Sequence, residues 1–592
     1  MSPKRHLTVT DVLHLDTFEG HHGSCFAFSP DGSLLAITIQ RSLATGVRFG
    51  RPFLAGNDRG ELLLADVVSG KVQPLAAGAG QGLGFFAPVW SSDGTSIAVS
   101  MADAHSVRVM VINPVSGGRW SPTERNLSLP GGGPAYEWIG PKELLCALLP
   151  ADMAPLALDV EICGPMTAQK EWSKAWAGKE PTASVLDVLP DTPGPDELPS
   201  DPAPEFTVFN THDKSTRALL DDEITPDIRA FRRRFDPRPP ADFKPPNDTV
   251  NYPDWARALQ PLTGGKLVAA HEGTRQAAFL AEDGQGSRVV VVCDADKRQT
   301  EIFRTNSHLQ AVRAGEVRDL EYQRADGQWT IARLLLPPDY SEGDRRPAVV
   351  WVYPGASPGA TASPILKTNF AHPLNLQLLA ANGYVVIEPS LPLPDTSERL
   401  DILPMLAQGV VPAVKSVAEA GYIDLDQVHV MGQSMGGWAA MSLLATTDLF
   451  RSGIALAGIY NLISFHGSCD PRFRYHGPGL HAFKLAQMCE RSWRLGGPPW
   501  RELDRYVRNS PLFLAEQIAA PVMIVQGDQD YATISQGEEM FSALRQLGKP
   551  ARFVRYWGEG HVLSSPANIQ DLWRRIFAWL DEQPSGDKID GG

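Results

Sequence analysis

Cysteine is scarce in this chain. The 592 residues include six cysteines, and no two of them form a C-x-x-C pair or lie at zinc-ligand spacing from histidines. This pattern argues against disulfide-rich scaffolds and zinc modules, and we predict neither a metal site nor a cofactor. We expect reduced, mostly buried thiols. Cys469 and Cys489 flank one loop-rich segment, and the sequence leaves a bridge between them open.

Long apolar runs and an excess of basic residues are also missing. No run reaches membrane-spanning length, and no apolar segment follows Lys4 and Arg5 as it would in a secretory signal. The net charge is −14, with 54 basic and 68 acidic residues. An acidic surface of this kind argues against nucleic acid or an anionic membrane as a partner. We predict a cytoplasmic protein, and the sequence leaves open whether it forms homo-oligomers.

The N-terminal half contains repeated short strands separated by tight turns. Two segments, Phe26–Gly32 and Pro88–Gly94, share an aromatic-Ser-x-Asp-Gly pattern, and an alternating strand follows each. Asp-Gly favours a tight hairpin turn, and repeated four-strand units are typical of β-propeller blades. We predict a β-propeller over residues 1–315. Its length suits about seven blades at the usual repeat length.

The pattern changes after that point. Ala348–Tyr353 and Tyr384–Glu388 are apolar runs without clean alternation, as expected for strands covered on both faces of a sheet. Helix-like stretches separate these strands and the later ones. We therefore predict a doubly wound, mostly parallel α/β domain over residues 316–592.

Ser434 lies in the G-x-S-x-G sequence Gly432–Gly436. An apolar strand-like run precedes it and a helix-like run follows it. This strand–turn–helix context is that of a nucleophile elbow, in which glycines relieve crowding at a sharp, strained turn. Ser434 is the predicted nucleophile.

A serine hydroxyl needs a base, and that base needs an orienting carboxylate. In α/β-hydrolases the carboxylate and then the histidine follow the serine in the chain. Asp528 and Asp530 end one later strand, and His561 follows the last strand. His561 is the predicted base, and the residues alone leave both aspartates as candidates for the acid. We expect Glu559 to be a surface acid.

The oxyanion formed during acyl transfer needs hydrogen-bond donors. The N–H group of Met435, directly after the nucleophile, is the expected first donor. The second is expected from the loop after Ala348–Tyr353. There the hydroxyl of Tyr353 could supply it.

With these residues identified, the chain resembles the prolyl oligopeptidase family of serine peptidases. That family's G-x-S-x-G-G, H-G-x-x-D, G-x-x-H and V-Y-G-G-P sequences are similar to Gly432–Gly437, Gln526–Asp530, Gly558–His561 and Val352–Ala356. The resemblance implies Asp530 as the acid and Tyr353 as an oxyanion donor. Gln526 replaces the usual histidine, and a proline-rich segment, Pro389–Pro394, replaces the usual R-G-S-x-G-x-G.

The resemblance implies a propeller joined to an α/β-hydrolase domain that cleaves short peptides or acyl-peptides through an acyl-enzyme. It leaves open an acylaminoacyl peptidase, a glutamyl endopeptidase-like enzyme or a dipeptidyl peptidase. Two other functions remain as alternatives. One is an esterase or tailoring hydrolase acting on a small acyl ester or amide, since the same triad serves that chemistry. The other is an inactive propeller scaffold, against which the intact order of the three residues argues.

Overall fold

The fold is known from a computed structural model of the chain. The structure describes residues 4–18, 22–47, 53–103, 105–129, 133–158, 164–183, 201–235, 252–261, 264–358, 363–393, 399–474 and 483–582. Much of the two proline-rich stretches, 189–206 and 236–253, and Cys163 lie outside these residues. None of the described helices is both long and apolar enough to cross a membrane.

The N-terminal part contains four antiparallel sheets, each built from four strands that are consecutive in the chain. Their strands are β1 Phe26–Phe28, β2 Leu34–Gln40, β3 Gly60–Asp66 and β4 Val72–Ala76; β5 Gly84–Trp90, β6 Ile97–Ala102, β7 Val107–Ile112 and β8 Arg119–Trp120; β9 Tyr136–Trp138, β10 Glu143–Leu148, β11 Glu205–Asn210 and β12 Thr216–Ala218; and β13 Lys266–His271, β14 Gln276–Glu282, β15 Arg288–Cys293 and β16 Gln299–Thr305. The helices of this part are α1 Val9–Leu13, α2 Leu156–Leu158, α3 Gly164–Ala177, α4 Pro226–Arg233 and α5 Asp254–Arg257.

The Asp-Gly turns form where the sequence predicts them. Asp31 accepts hydrogen bonds from the hydroxyls of Ser29 and Ser33, while Gly32 has a φ of +72°. Only glycine adopts that left-handed conformation without cost, so the turn fixes the β1–β2 hairpin. The second sheet repeats the arrangement at Asp93 and Gly94, where φ is +70°.

The described residues form four such sheets, fewer than the seven or so blades expected. That estimate divided the length of the N-terminal half by a typical repeat length, but α3 occupies part of the chain between β10 and β11. We number the sheets by their order in the chain. The first sheet packs between the fourth and the second, and the second packs between the first and the third. Each neighbouring pair shares one apolar core. Short helices cover the two end sheets. Phe231 of α4 packs on the third sheet, and Ala256 of α5 packs on the fourth.

The first residues of the chain do not belong to these sheets. Leu7, Val12 and Leu13, on and just before α1, share a core with Trp573 and Ile576 near the C-terminus. Arg5 pairs with Asp11 at 2.6 Å, and Asp11 also caps α1 together with Thr8. The apolar face of α1 is therefore buried against the C-terminal part, while the assignment of residues 1–315 to one propeller stays a prediction. The predicted boundary at 315 falls in the connection after β16.

The C-terminal part is built on one eight-stranded sheet in the order β17-β18-β20-β19-β21-β22-β23-β24. Its strands are β17 Val317–Gln323, β18 Trp329–Leu335, β19 Arg346–Trp351, β20 Val385–Glu388, β21 Ile423–Gln433, β22 Ser452–Leu456, β23 Val522–Gly527 and β24 Ala551–Tyr556. Its helices are α6 Gln377–Ala381, α7 Leu403–Glu419, α8 Met435–Thr446, α9 Leu462–His466, α10 Phe483–Gln487, α11 Pro499–Arg508, α12 Ile534–Gln546 and α13 Pro566–Asp581.

The pairing confirms a doubly wound α/β sheet. The antiparallel hairpin β17–β18 lies at one edge of the sheet, and β18 also pairs antiparallel with β20. The remaining neighbours, in the order β20-β19-β21-β22-β23-β24, are parallel. Both faces are buried in large apolar cores, which explains why these strands lack alternation. In such sheets, ligand sites form at the carboxyl ends of the strands.

Candidate active site

Ser434 occupies the sharp turn between β21 and α8. Its backbone has φ 59° and ψ −122°, a region that side-chain-bearing residues rarely adopt. The turn is held by a hydrogen bond from its N–H to the oxygen of Leu456, at 2.8 Å. A strained residue that the surrounding structure holds in place is typical of a functional site.

The glycines of the elbow are required by close backbone contacts. A Cβ atom on Gly432 would lie 2.3 Å from the oxygen of Gly436, and one on Gly436 would lie 2.3 Å from the oxygen of Val352. Both distances are far below van der Waals contact. The elbow can therefore hold Ser434 at its tip only if these positions lack side chains.

The structure places His561 against Asp530. Nδ1 of His561 lies 2.9 Å from Oδ1 and 3.0 Å from Oδ2 of a fully buried carboxylate. Burial raises the pKa of Asp530, while its hydrogen bonds with His561 and the N–H of Ala532 oppose that change. The contact at Nδ1 leaves Nε2 as the nitrogen that can exchange a proton with a substrate or a nucleophile.

Asp528, the other candidate acid, faces elsewhere. Its Oδ1 accepts a hydrogen bond from the N–H of Gly558 at 2.6 Å, and its Oδ2 accepts one from Gln529. Asp528 thus ties the β23 loop to the turn that precedes His561. This is a structural role, so Asp530 alone has the geometry of an orienting carboxylate.

Ser434 and His561 are close neighbours without a direct hydrogen bond between their side chains among the described contacts. Gln433, next to Ser434, donates from Nε2 to the main-chain oxygen of His561 at 2.7 Å. Tyr531 lies over the His561 ring, and its hydroxyl lies near Ser434. Catalytic hydrogen bonds are commonly loose before substrate binds, so this geometry is compatible with a serine–histidine pair.

The two expected oxyanion donors lie at the same edge of the sheet. Met435 is the first residue of α8, so its N–H has no acceptor within the helix. Tyr353 follows β19, is 42% exposed, and places a ring carbon 3.4 Å from the position of a Cβ on Gly436. The tyrosine ring therefore packs directly on the start of α8.

Three residues that support the site were missed or misjudged from the sequence. Glu559 is 1% exposed, not a surface acid, and it accepts hydrogen bonds from Ser564, Ser565 and Asn568. It closes the loop around His561 at the start of α13. Polar residues directly before a helix were the available signal.

Gln526 is the second of these residues. Its Nε2 donates to the main-chain oxygens of Gly458, Ala532 and Thr533, so a neutral amide fixes the turn that carries Asp530. The sequence showed that a histidine was replaced but not what the glutamine holds. Tyr531 is the third, and nothing in its sequence position indicated a contact with His561.

These features define a hydrolase of the α/β class with an elbow serine beside a histidine–carboxylate pair. Residues 407–586 match the sequence model of the Prolyl oligopeptidase family. Over these residues the C-terminal part of the chain is similar to that family. The predicted resemblance is therefore confirmed.

Curated relatives agree with this assignment. Over 269 residues the chain is 26% identical to Dipeptidyl-peptidase 5 of Porphyromonas gingivalis, an alignment that covers 43% of the chain and 36% of the relative. Over 353 residues it is 25% identical to Lasso peptide isopeptidase AtxE2 of Asticcacaulis excentricus, covering 56% and 48%. The aligned parts thus span less than half of either relative.

Solved structures extend the likeness to the whole fold. AtxE2 isopeptidase with Astexin3-dC4 bound aligns with a TM-score of 0.59 at 14% identity, covering 99% of this chain and 97% of that one. The acylaminoacyl peptidase of Pyrococcus horikoshii aligns with a TM-score of 0.57 at 13% identity, covering 95% and 96%. Together with the observed sheets, these alignments confirm the expected combination of a propeller-type N-terminal part and an α/β-hydrolase.

Proposed function

We propose that this protein is a serine peptidase that hydrolyses short peptides through an acyl-enzyme. The observation that carries the proposal is the contact of His561 with buried Asp530 beside the strained elbow of Ser434. Structural proteins have no evident need to strain a serine next to a histidine–carboxylate pair.

In this mechanism Ser434 Oγ attacks the carbonyl carbon of the scissile bond while its proton passes to Nε2 of His561. The ionised Asp530 stabilises the imidazolium that forms. The N–H of Met435 and the hydroxyl of Tyr353 donate to the oxyanion. When the intermediate collapses, the C–N bond breaks and His561 gives its proton to the leaving amine.

The acyl-enzyme is then hydrolysed by the same groups. Water loses a proton to His561 and attacks the ester carbon, and the proton returns to Ser434 Oγ as the acid leaves. No other reactant is needed. An ester substrate would follow the same steps with an alcohol as the leaving group, so an esterase is the alternative.

Short peptides or acyl-peptides are the proposed substrates. Support comes from the relatives, whose names describe peptidases and an isopeptidase. The four N-terminal sheets add a second body to the hydrolase, and such a body can restrict access by folded proteins. Neither nucleic acid nor a membrane is a proposed partner, because the net charge is −14.

A reducing compartment such as the cytoplasm is the proposed location. Four described cysteines, Cys146, Cys293, Cys469 and Cys489, are free thiols, and all but Cys469 are buried. Cys469 and Cys489 are among them, so the bridge that the sequence left open is not formed. Free thiols persist most readily where glutathione and thioredoxin keep them reduced.

A fluorophosphonate probe tests the proposal without knowledge of the substrate. We expect the native protein to be labelled at Ser434, as located by mass spectrometry, and Ser434→Ala to be unlabelled and inactive. Ser442→Ala is the matched control, since Ser442 lies two turns further along α8 and its hydroxyl donates to the main-chain oxygen of Trp438. A native protein that resists labelling would refute the proposal. Digestion of a peptide library, beside matched esters, then separates peptidase from esterase.

A further inference from the structure

Tyr531 lies directly over the imidazole of His561. The two ring centroids are 4.4 Å apart, and the ring planes are inclined by 31°. Tyr531 follows Asp530 in the chain, and the N–H of Ala532 bonds to Oδ1 of Asp530 at 2.9 Å. One tight turn therefore places both the carboxylate and the aromatic ring against the same histidine.

The tyrosine ring is itself held in place. The guanidinium of Arg472 lies over it at 5.7 Å from the centroid, within cation–π range. Asp470 fixes Arg472, because both of its carboxylate oxygens accept from Nε at 2.7 Å. At its other end, the Tyr531 hydroxyl lies near Ser434. Burial raises the pKa of Tyr531 to about 12, so the hydroxyl stays protonated.

His561 needs such a contact. The hydrogen bonds at Nδ1 fix the imidazole at one nitrogen, but the ring can still tip about them. Its side chain is 21% exposed, so surrounding protein does not enclose it. A flat aromatic surface at stacking distance limits that tilt.

We propose that Tyr531 is a positioning residue, whose ring holds the His561 imidazole in the orientation that activates Ser434. This role rests on the proposed function. The proposal attributes the effect to the aromatic ring and not to the hydroxyl. It therefore predicts opposite results for a substitution that keeps the ring and one that removes it.

The experiment compares Y531F, which keeps the ring, with Y531L, which removes it. The readout is the second-order rate of labelling by a fluorophosphonate probe, which reports activation of Ser434 directly. We expect Y531L to be slower by about tenfold to a hundredfold, the usual cost of a small misplacement of a reacting group. Y531F should restore a rate close to the native one. With a peptide or ester that the native enzyme cleaves, the loss should fall on kcat more than on KM.

A spectroscopic readout separates positioning from general stability. The hydrogen-bonded Nδ1 proton of His561 should give a low-field proton NMR signal in the native protein and in Y531F. In Y531L this signal should broaden or disappear. Y340L is the matched control, because Tyr340 stacks on Tyr422 at 5.9 Å, and no described contact joins either ring to the triad residues.

The possible outcomes are distinct. If the native protein and Y531L are labelled at the same rate, the role of Tyr531 is overturned while the proposed function stands. A labelling rate of Y531F as low as that of Y531L would also overturn this role. A native protein that is not labelled at all refutes the proposed function, and this role with it.

Discussion

Gln433 donates a hydrogen bond from Nε2 to the main-chain oxygen of His561, at 2.7 Å. The two residues are far apart in the chain, yet this bond joins the nucleophile elbow to the loop of the proposed base. The bond fixes the distance between the elbow, which follows β21, and the loop of His561, which follows β24. The amide is suited to this task because it donates to a carbonyl without carrying charge.

We predict that Gln433→Met lowers the labelling rate of Ser434 by about tenfold, because methionine fills the same space without a donor. The fluorophosphonate rate measures the effect, and circular dichroism checks the fold. Gln427→Met is the control on the same strand, since Gln427 bonds only to nearby Asp424. Equal rates in the native protein and Gln433→Met would show that this hydrogen bond has no part in activation.

Asp530→Asn should abolish most activity. An asparagine in this position would favour the wrong tautomer of His561 and would not stabilise the imidazolium, so we expect kcat to fall about 10³- to 10⁴-fold. Asp528→Asn is the matched control, because an amide oxygen can still accept from the N–H of Gly558. Steady-state kinetics on one cleaved peptide compare the two. A larger loss in Asp528→Asn would reverse the assignment.

Gly436→Ala should impair folding as well as activity. The added methyl group would lie 2.3 Å from the oxygen of Val352, so the elbow or β19 must shift. We expect a loss of about 1–3 kcal/mol in the free energy of unfolding, measured by urea denaturation. Gly467→Ala is the control, because a Cβ there meets only one atom, at 4.0 Å. A native-like stability of Gly436→Ala would contradict the required close contact.

The sequence predicted the parts of this molecule that local patterns determine. The turn at Asp31 and Gly32, the buried strands of the sheet and the elbow of Ser434 each depend on neighbouring residues. The order of Asp530 and His561 also followed from chain position. Their proximity could only be expected, because it depends on how distant strands pair.

The sequence-based predictions that differ from the structure concern features that depend on tertiary packing. Fewer sheets than predicted appear among the described residues, because α3 has a helical pattern inside a β-rich part, and length alone cannot reveal it. The attachment of α1 to α13 could not be predicted, because an apolar helix face does not indicate its partner. Glu559 was misjudged, since a carboxylate is buried only where enough donors converge on it, and three different residues supply them here.

His429 makes the stability of the fold depend on pH. It is 3% exposed on β21, and Nδ1 lies 2.8 Å from the hydroxyl of Ser452. Burial, with a smaller effect of the charge on Arg451, lowers the pKa of His429 from 6.5 to about 4. The unfolded chain therefore binds a proton more readily than the folded one between these values. The stability that the neutral histidine provides is complete above pH 6.5 and is lost as the pH falls towards 4.

We predict that the native protein loses on the order of 2 kcal/mol from this residue between pH 7 and pH 5. His429→Gln cannot titrate, so its free energy of unfolding should change less over that range, even if it is lower at pH 7. Urea denaturation followed by tryptophan fluorescence at both pH values measures the difference. His212→Gln, at an exposed turn, is the control and should follow the native protein. If His429→Gln loses as much stability as the native protein, another group must account for the acid sensitivity.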